Sequence, residues 1–215
     1  MVQTKTGPSD AYEVHYGSRI VRCFVERPKS VHELLSKAAA RRPQGVALIC
    51  KDESVTYAEL DALVGRVAGG LKALGVEKGD RVAMALDSSV EFVVVMFAAA
   101  RLGAVSVPLN IRHQLAENRY ILEDCGAKVV VHEHDLSNRI PSADDLPDLE
   151  RALALRRDSG SPLADLLRAA PVLRANEVDE EETATILYTS GTTGRPKGAM
   201  LTLSASSTPS SIMSG

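Results

Sequence analysis

Three near-continuous apolar runs, at residues 82–86, 104–109 and 128–132, alternate with segments that carry their own helix start and stop signals. That alternation constrains the fold more than any other feature of the chain. A strand wetted on one face alternates apolar and polar residues, whereas an unbroken apolar run belongs in a sheet covered on both faces. Serine or threonine precedes glutamate by three positions at Ser30/Glu33, Thr56/Glu59 and Ser88/Glu91. In this capping box the hydroxyl and the carboxylate satisfy backbone donors left orphaned in the first turn. Pro43, Gly75 and Gly103 close the three helices. A further helix is predicted over 114–124, closed by Gly126. Residues 46–50 and 54–57 flank the polar turn Lys51-Asp52-Glu53 and read as a β-hairpin. One more apolar strand is predicted over 183–189. The order of elements is that of an α/β fold with helices layered on a mostly parallel sheet.

Two later stretches are less regular. Residues 148–157 and 162–168 are amphipathic and are predicted as two short surface helices. The run Glu177-Val178-Asp179-Glu180-Glu181-Glu182 reads as a solvated acidic turn.

Composition removes several function classes. With 45% hydrophobic and 25% charged residues the chain is globular rather than disordered. A net charge of −3 and 4% aromatics without tryptophan argue against nucleic-acid partners. The longest apolar run, 92–100, is far short of the ~20 residues of a membrane span. The start of the chain is polar and does not resemble a secretory signal. Cys23, Cys50 and Cys125 are too far apart in sequence for a metal or redox motif, and three reduced thiols fit a cytoplasmic protein. His132 and His134 would share one side of a strand, but a zinc site needs a third ligand that the sequence does not offer nearby, and an ordinary strand end is the expectation. Cys125 reads as a helix-end thiol with no adjacent base. Arg112 and His113 follow the 104–109 strand, at the end of an α/β sheet where ligands bind.

The stretch that carries chemistry follows the 183–189 strand: Tyr188-Thr189-Ser190-Gly191-Thr192-Thr193-Gly194-Arg195-Pro196-Lys197-Gly198. Glycines let backbone N–H groups converge on an anion, hydroxyls add neutral donors, and Lys197 adds a compact cation suited to a phosphate oxygen. The Walker pattern fails because Pro196 stands where its second glycine belongs, which disfavours a P-loop phosphohydrolase. The Rossmann fingerprint fails because Thr193 stands where its second glycine belongs.

This run resembles the signature of the adenylate-forming (AMP-binding) enzymes, a family of acyl- and aryl-CoA ligases, peptide-synthetase adenylation domains and luciferases. Earlier residues agree in order. Thr56-Tyr57-Ala58-Glu59-Leu60 is similar to an early T-Y-x-E-L element. Leu74-Gly75-Val76-Glu77-Lys78-Gly79-Asp80-Arg81-Val82 is similar to an L-G-V-x-x-G-D-x-V turn, and Leu102-Gly103-Ala104 through Pro108-Leu109-Asn110 to a later strand. The resemblance implies that a carboxylic acid reacts with ATP to give an acyl-adenylate, which a thiol such as CoA then intercepts. It implies that Ser190, Thr192, Thr193 and Lys197 hold the β- and γ-phosphates, with Mg²⁺ sharing the charge, and that Lys197 and Thr193 act on the leaving pyrophosphate. Thr189, Gly191, Gly194 and Gly198 would shape the loop. Residues 1–29 are expected to form an N-terminal arm, 30–202 a partial AMP-binding domain, and 203–215, with six serines, a tail unlike the family. The fold expected is therefore a truncated first part of the large domain, inactive alone and prone to self-association through an uncovered sheet. A non-catalytic nucleotide- or partner-binding module built on the same loop is the alternative reading.

Overall fold

The capping chemistry and apolar runs produce the elements in the expected order. This computed structural model describes residues 10–51, 53–156, 163–189 and 195–203. Strands β1 (Asp10–His15) and β2 (Arg19–Phe24) form an antiparallel hairpin, followed by α1 (Val31–Arg41). A second hairpin, β3 (Val46–Cys50) and β4 (Glu53–Thr56), leads into α2 (Tyr57–Ala73). Then come β5 (Arg81–Ala85), α3 (Val90–Arg101), β6 (Val105–Pro108), α4 (Leu115–Asp124) and β7 (Ala127–Glu133), and finally β8 (Arg151–Leu155), β9 (Thr183–Thr189) and β10 (Lys197–Thr202). Six strands form one sheet in the order β10-β9-β6-β5-β7-β8. All neighbours are parallel except β10, which runs antiparallel to β9.

Local signals act where the sequence puts them, with small offsets. The Ser30 hydroxyl accepts from Glu33 N at 3.1 Å, while the Glu33 carboxylate reaches back to Lys29 N rather than to Ser30. Thr56 and Glu59 form the full reciprocal box. At α3 the cap is Ser89, accepting from Phe92 N at 3.3 Å, so the helix starts one residue later than the Ser88/Glu91 pairing predicts. Gly75 and Gly103 end their helices with φ of +83° and +67°, a left-handed conformation that glycine adopts without strain.

The core explains why the strand runs are unbroken. Val82 and Met84 of β5 face α2 and α3, and Ala83 and Ala85 face α4, all essentially inaccessible to water. Both sheet faces are thus covered by helices. The end of α3 is closed by chain from far downstream. Asn176 donates through its N–H to Arg101 O (2.9 Å) and through its side chain to Leu102 O (2.8 Å). The Arg101 guanidinium, 2% exposed, pairs with Asp61 and donates to Val172 O at 3.0 Å.

Two expectations are corrected. The helix expected over 148–157 is not formed among its described residues, 148–156: Arg151–Leu155 is β8, which pairs in parallel with β7 along its open edge and buries Leu155. The sheet's free backbone groups outweigh the weak helical preference of a short Arg-Ala-Leu segment. Within 162–168, the regular structure is a 3₁₀ turn at Leu166–Arg168. The acidic run is not simply solvated either. Arg27, 5% exposed, donates to Glu180 at 2.8 and 2.9 Å and to Glu13 at 2.6 and 3.0 Å. Lys29 and Lys78 reach Glu180 and Glu182 at 3.0 and 2.9 Å, and Tyr16 N donates to Glu181 at 2.8 Å. The acidic turn therefore fastens the β1–β2 hairpin to the start of β9.

Candidate active site

Because β5, β6, β7 and β9 are parallel, the loops that follow them emerge at one edge of the sheet, where ligands bind in open α/β folds. Over β5–β7 this edge holds a cavity of about 810 Å³, lined among others by Asp87, Ser88, Arg112, His134, Asp135 and Arg139. Arg139 is fixed by donating to Ile111 O at 3.1 Å, and Asn118 donates to Arg139 O at 2.9 Å. Arg112 thus lines a cavity as its position predicts. His113 N closes a turn on Asn110 O at 2.9 Å, and its buried Nδ1 has no hydrogen-bond partner among the described residues.

The phosphate-loop candidate leaves the same edge from β9 and returns as β10. Thr189 and Lys197 are direct partners in the β9–β10 ladder, and Gly198 pairs with Tyr188. The structure therefore brings a hydroxyl and a cation to facing positions at the mouth of the loop, both exposed. Ser190, Gly191, Thr192, Thr193 and Gly194 lie outside the described residues. Gly198 has a steric role that its place in the signature does not reveal. A Cβ there would come within 2.9 Å of the Tyr188 ring and of Ile186 Cγ2.

Both flanks of the loop are anchored on α4. Before the loop, the Tyr188 hydroxyl donates to Asp124 Oδ2 at 2.5 Å. After it, the Arg195 guanidinium lies 5.4 Å from the centre of the Tyr120 ring, within cation–π range. Burial, reinforced by the hydrogen bond to Asp124, raises the Tyr188 phenol well above its ordinary value and keeps it a donor. Tyr120 and Asp124 escape a reading of the sequence, and Tyr188 is read only as part of the run and not as an anchor. The available signal is the i,i+4 spacing of Tyr120 and Asp124, which puts both on one face of α4.

The remaining candidates separate. His132 is buried at the end of β7, with Nδ1 2.9 Å from Glu133 O and its pKa lowered by burial. His134 begins the 3₁₀ turn that follows and has Nε2 3.2 Å from Arg156, so the two do not share a strand. The Cys125 thiol is pushed up to about 11, chiefly by burial, as befits a thiol with no activating base.

A mostly parallel sheet covered by helices carries a Gly-, Ser- and Thr-rich segment between β9 and the lysine that opens β10. The chain belongs to the AMP-binding enzyme family, which matches residues 35–211. It is 38% identical over 186 residues to the long-chain-fatty-acid–CoA ligase FadD13 of Mycobacterium tuberculosis, covering 81% of this chain and 35% of that protein. The anthranilate CoA ligase AuaEII, solved in complex with anthranoyl-AMP, superposes with a TM-score of 0.75 at 28% identity, over 83% of this chain and 36% of that one. The N-terminal domain of FACL13 from M. tuberculosis gives 0.73 at 36% identity, over 82% and 45%. The relatives are acyl-CoA ligases and related adenylate-forming enzymes, and the fold is that of their N-terminal domains. The chain spans about a third of the length of the curated CoA ligases and synthases it matches. Among the described residues no helix is long and apolar enough to cross a membrane.

Proposed function

We propose that this chain supplies the pyrophosphate-side half-site of an ATP-dependent carboxylic acid–CoA ligase working in the cytoplasm, where ATP and CoA are at hand. The observation that carries the reading is the Thr189–Lys197 pair at the loop mouth, with the loop's flanks braced on α4. In such a reaction an acid oxygen bonds to the α-phosphorus of ATP as the bond to pyrophosphate breaks. The thiol sulfur of CoA then bonds to the acyl carbon as AMP leaves. Lys197 and the Thr193 hydroxyl are assigned to the charge that builds on the leaving pyrophosphate. Ser190, Thr192 and the backbone N–H groups at Gly191 and Gly194 cradle its oxygens, with Thr189 and Gly198 shaping the loop's ends. Fixed donors aimed at developing charge are the largest contribution available to a site without covalent chemistry. Mg²⁺, when bound, would share the phosphate charge.

Pyrophosphate exchange with a panel of fatty and aromatic acids tests the assignment in a chain of the relatives' length. Lys197→Ala is expected to lower the exchange rate on the order of 10²–10³ while leaving the KM for the acid unchanged. A change confined to acid affinity would remove Lys197 from the phosphate role. The 215-residue chain by itself is expected to stay at blank, and exchange that responds to Lys197→Ala would overturn that part. The same reading includes self-association through the uncovered β9–β10 edge of the sheet, where Leu187 on one face is 39% and Met200 on the other 71% exposed. A monodisperse monomer in light scattering would refute it.

A further inference from the structure

The β1–β2 hairpin is turned inside out. Its register pairs Ala11 with Cys23, Glu13 with Val21 and His15 with Arg19, so these six positions share one face. That face holds Cys23 at 0% and His15 at 4% exposure, while Tyr12, Val14 and Ile20 on the opposite face are 75%, 66% and 73% exposed. A hairpin docked for apolar burial alone would present Tyr12, Val14 and Ile20 inward. This one presents a thiol, an imidazole and a carboxylate.

We propose that Cys23 Sγ, His15 Nε2 and Glu13 Oε2 bind a zinc-class divalent cation, with the fourth position open to water beside Glu13. The three ligand atoms lie within 4.8 Å of one another. Sγ to Nε2 is 3.5 Å, and Nε2 to Oε2 is 3.5 Å. Bonds of about 2.3 Å to sulfur and about 2.0–2.2 Å to nitrogen and oxygen, at tetrahedral angles, give edges of about 3.4–3.6 Å, which the two edges meeting at His15 Nε2 already match. Sulfur with imidazole selects zinc over magnesium or calcium.

The surroundings fit the same ion. Glu181 Oε1 lies 3.0 Å from His15 Nδ1, the place a carboxylate occupies behind a metal-bound imidazole. In the metal-free geometry that Nδ1 is buried and has no aligned hydrogen bond, in spite of the short distance. A cation on Nε2 fixes the tautomer that carries its proton on Nδ1, the nitrogen beside Glu181. Arg27 donates to both Glu13 oxygens, yet a carboxylate oxygen has a second lone pair free for a metal. The thiol proton is released on binding.

The test uses the whole 215-residue chain, reduced, stripped with chelator and titrated with Co²⁺, then Zn²⁺. The expected result is one equivalent of Co²⁺ with a thiolate charge-transfer band and the intense visible bands of a tetrahedral site, displaced by one equivalent of Zn²⁺. Cys23→Ser should abolish the charge-transfer band, Glu181→Gln should weaken Zn²⁺ about tenfold or more, and Cys50→Ser and Cys125→Ser should change nothing. Should Cys23→Ser fail to fold, differential alkylation of the wild-type chain decides: Zn²⁺ should protect Cys23 and leave Cys50 as reactive as before. Absence of the band, its survival in Cys23→Ser, or protection of Cys50 or Cys125 instead overturns the site.

Discussion

The centre of the sheet and its β9–β10 edge are built on opposite principles. In β5, Val82, Ala83 and Met84 are at 0% exposure, and each neighbour pairs along several residues. In β10, Met200 is 71% exposed, and β9 joins β6 through the ladder pair Ser106–Thr185. The centre is held by burial on two faces. The edge packs only Ile186 and Tyr188 against the α4-side core and adds point attachments: Tyr188 to Asp124, Arg195 over Tyr120, and the acidic turn to Arg27, Lys29 and Lys78. The lesson is a division of labour: burial on two faces fixes the scaffold, and a few directional contacts tie down the edge that carries the phosphate-loop candidate.

Four measurements sharpen or break that contrast. The largest effect is expected from Met84→Ala, which removes a fully buried side chain between α2 and α3. A loss of about 2–5 kcal/mol in urea unfolding is expected, and a loss under about 1 kcal/mol would show that the centre is loosely packed. Next is Gly198→Ala, whose Cβ would press on the Tyr188 ring. A cost of about 1–3 kcal/mol is expected, together with loss of hydrogen-exchange protection confined to β9 and β10. Loss spread over β5–β7 would mean that edge and centre unfold as one unit.

The third is a pH effect on the acidic fastening, read in metal-free buffer. Hydrogen bonding from Arg27 holds the Glu13 carboxyl at about 2, below its usual 4.5. For Glu180 the push from burial is outweighed by the bonds from Arg27 and Lys29, and its pKa is also lowered. Groups with depressed folded pKa stabilise above the unfolded value and lose that stabilisation as pH falls through the folded one. The urea midpoint should therefore fall below about pH 4.5, and Glu13→Gln should flatten the slope. An unchanged slope would show that the fastening contributes nothing. The smallest effect is expected from Met200→Ala, within about 0.5 kcal/mol. A cost comparable to Met84→Ala would erase the distinction.

Legibility in the sequence follows the same divide. The helices at Ser30 and Thr56, the buried strands and the phosphate-loop candidate could be read because their determinants are adjacent in the chain. The start of α3 lies one residue beyond the Ser88/Glu91 pairing because Ser88 and Ser89 are chemically equal candidates that the local sequence does not separate. Strand β8 was missed because what makes Arg151–Leu155 a strand is the open edge of β7, not its own pattern. The acidic run was misread for the same reason. Its partners Arg27, Lys29 and Lys78 lie far from it in sequence, and a charge run shows its length but not its counter-ions. In the candidate site, Thr189, Lys197 and Gly198 belong to the signature-like run, whereas Tyr120 and Asp124 are joined to it only by the packing of α4.

The long reach of the acidic turn also sets a timetable. Arg27 and Glu180 are separated by 153 positions. At synthesis rates of about 5–20 residues per second, the carboxylate that completes the first hairpin leaves the ribosome about 8–30 s after the arginine that waits for it. During that interval the face bearing Glu13, His15 and Cys23 has no lid, and whatever first meets it in the cell meets it open.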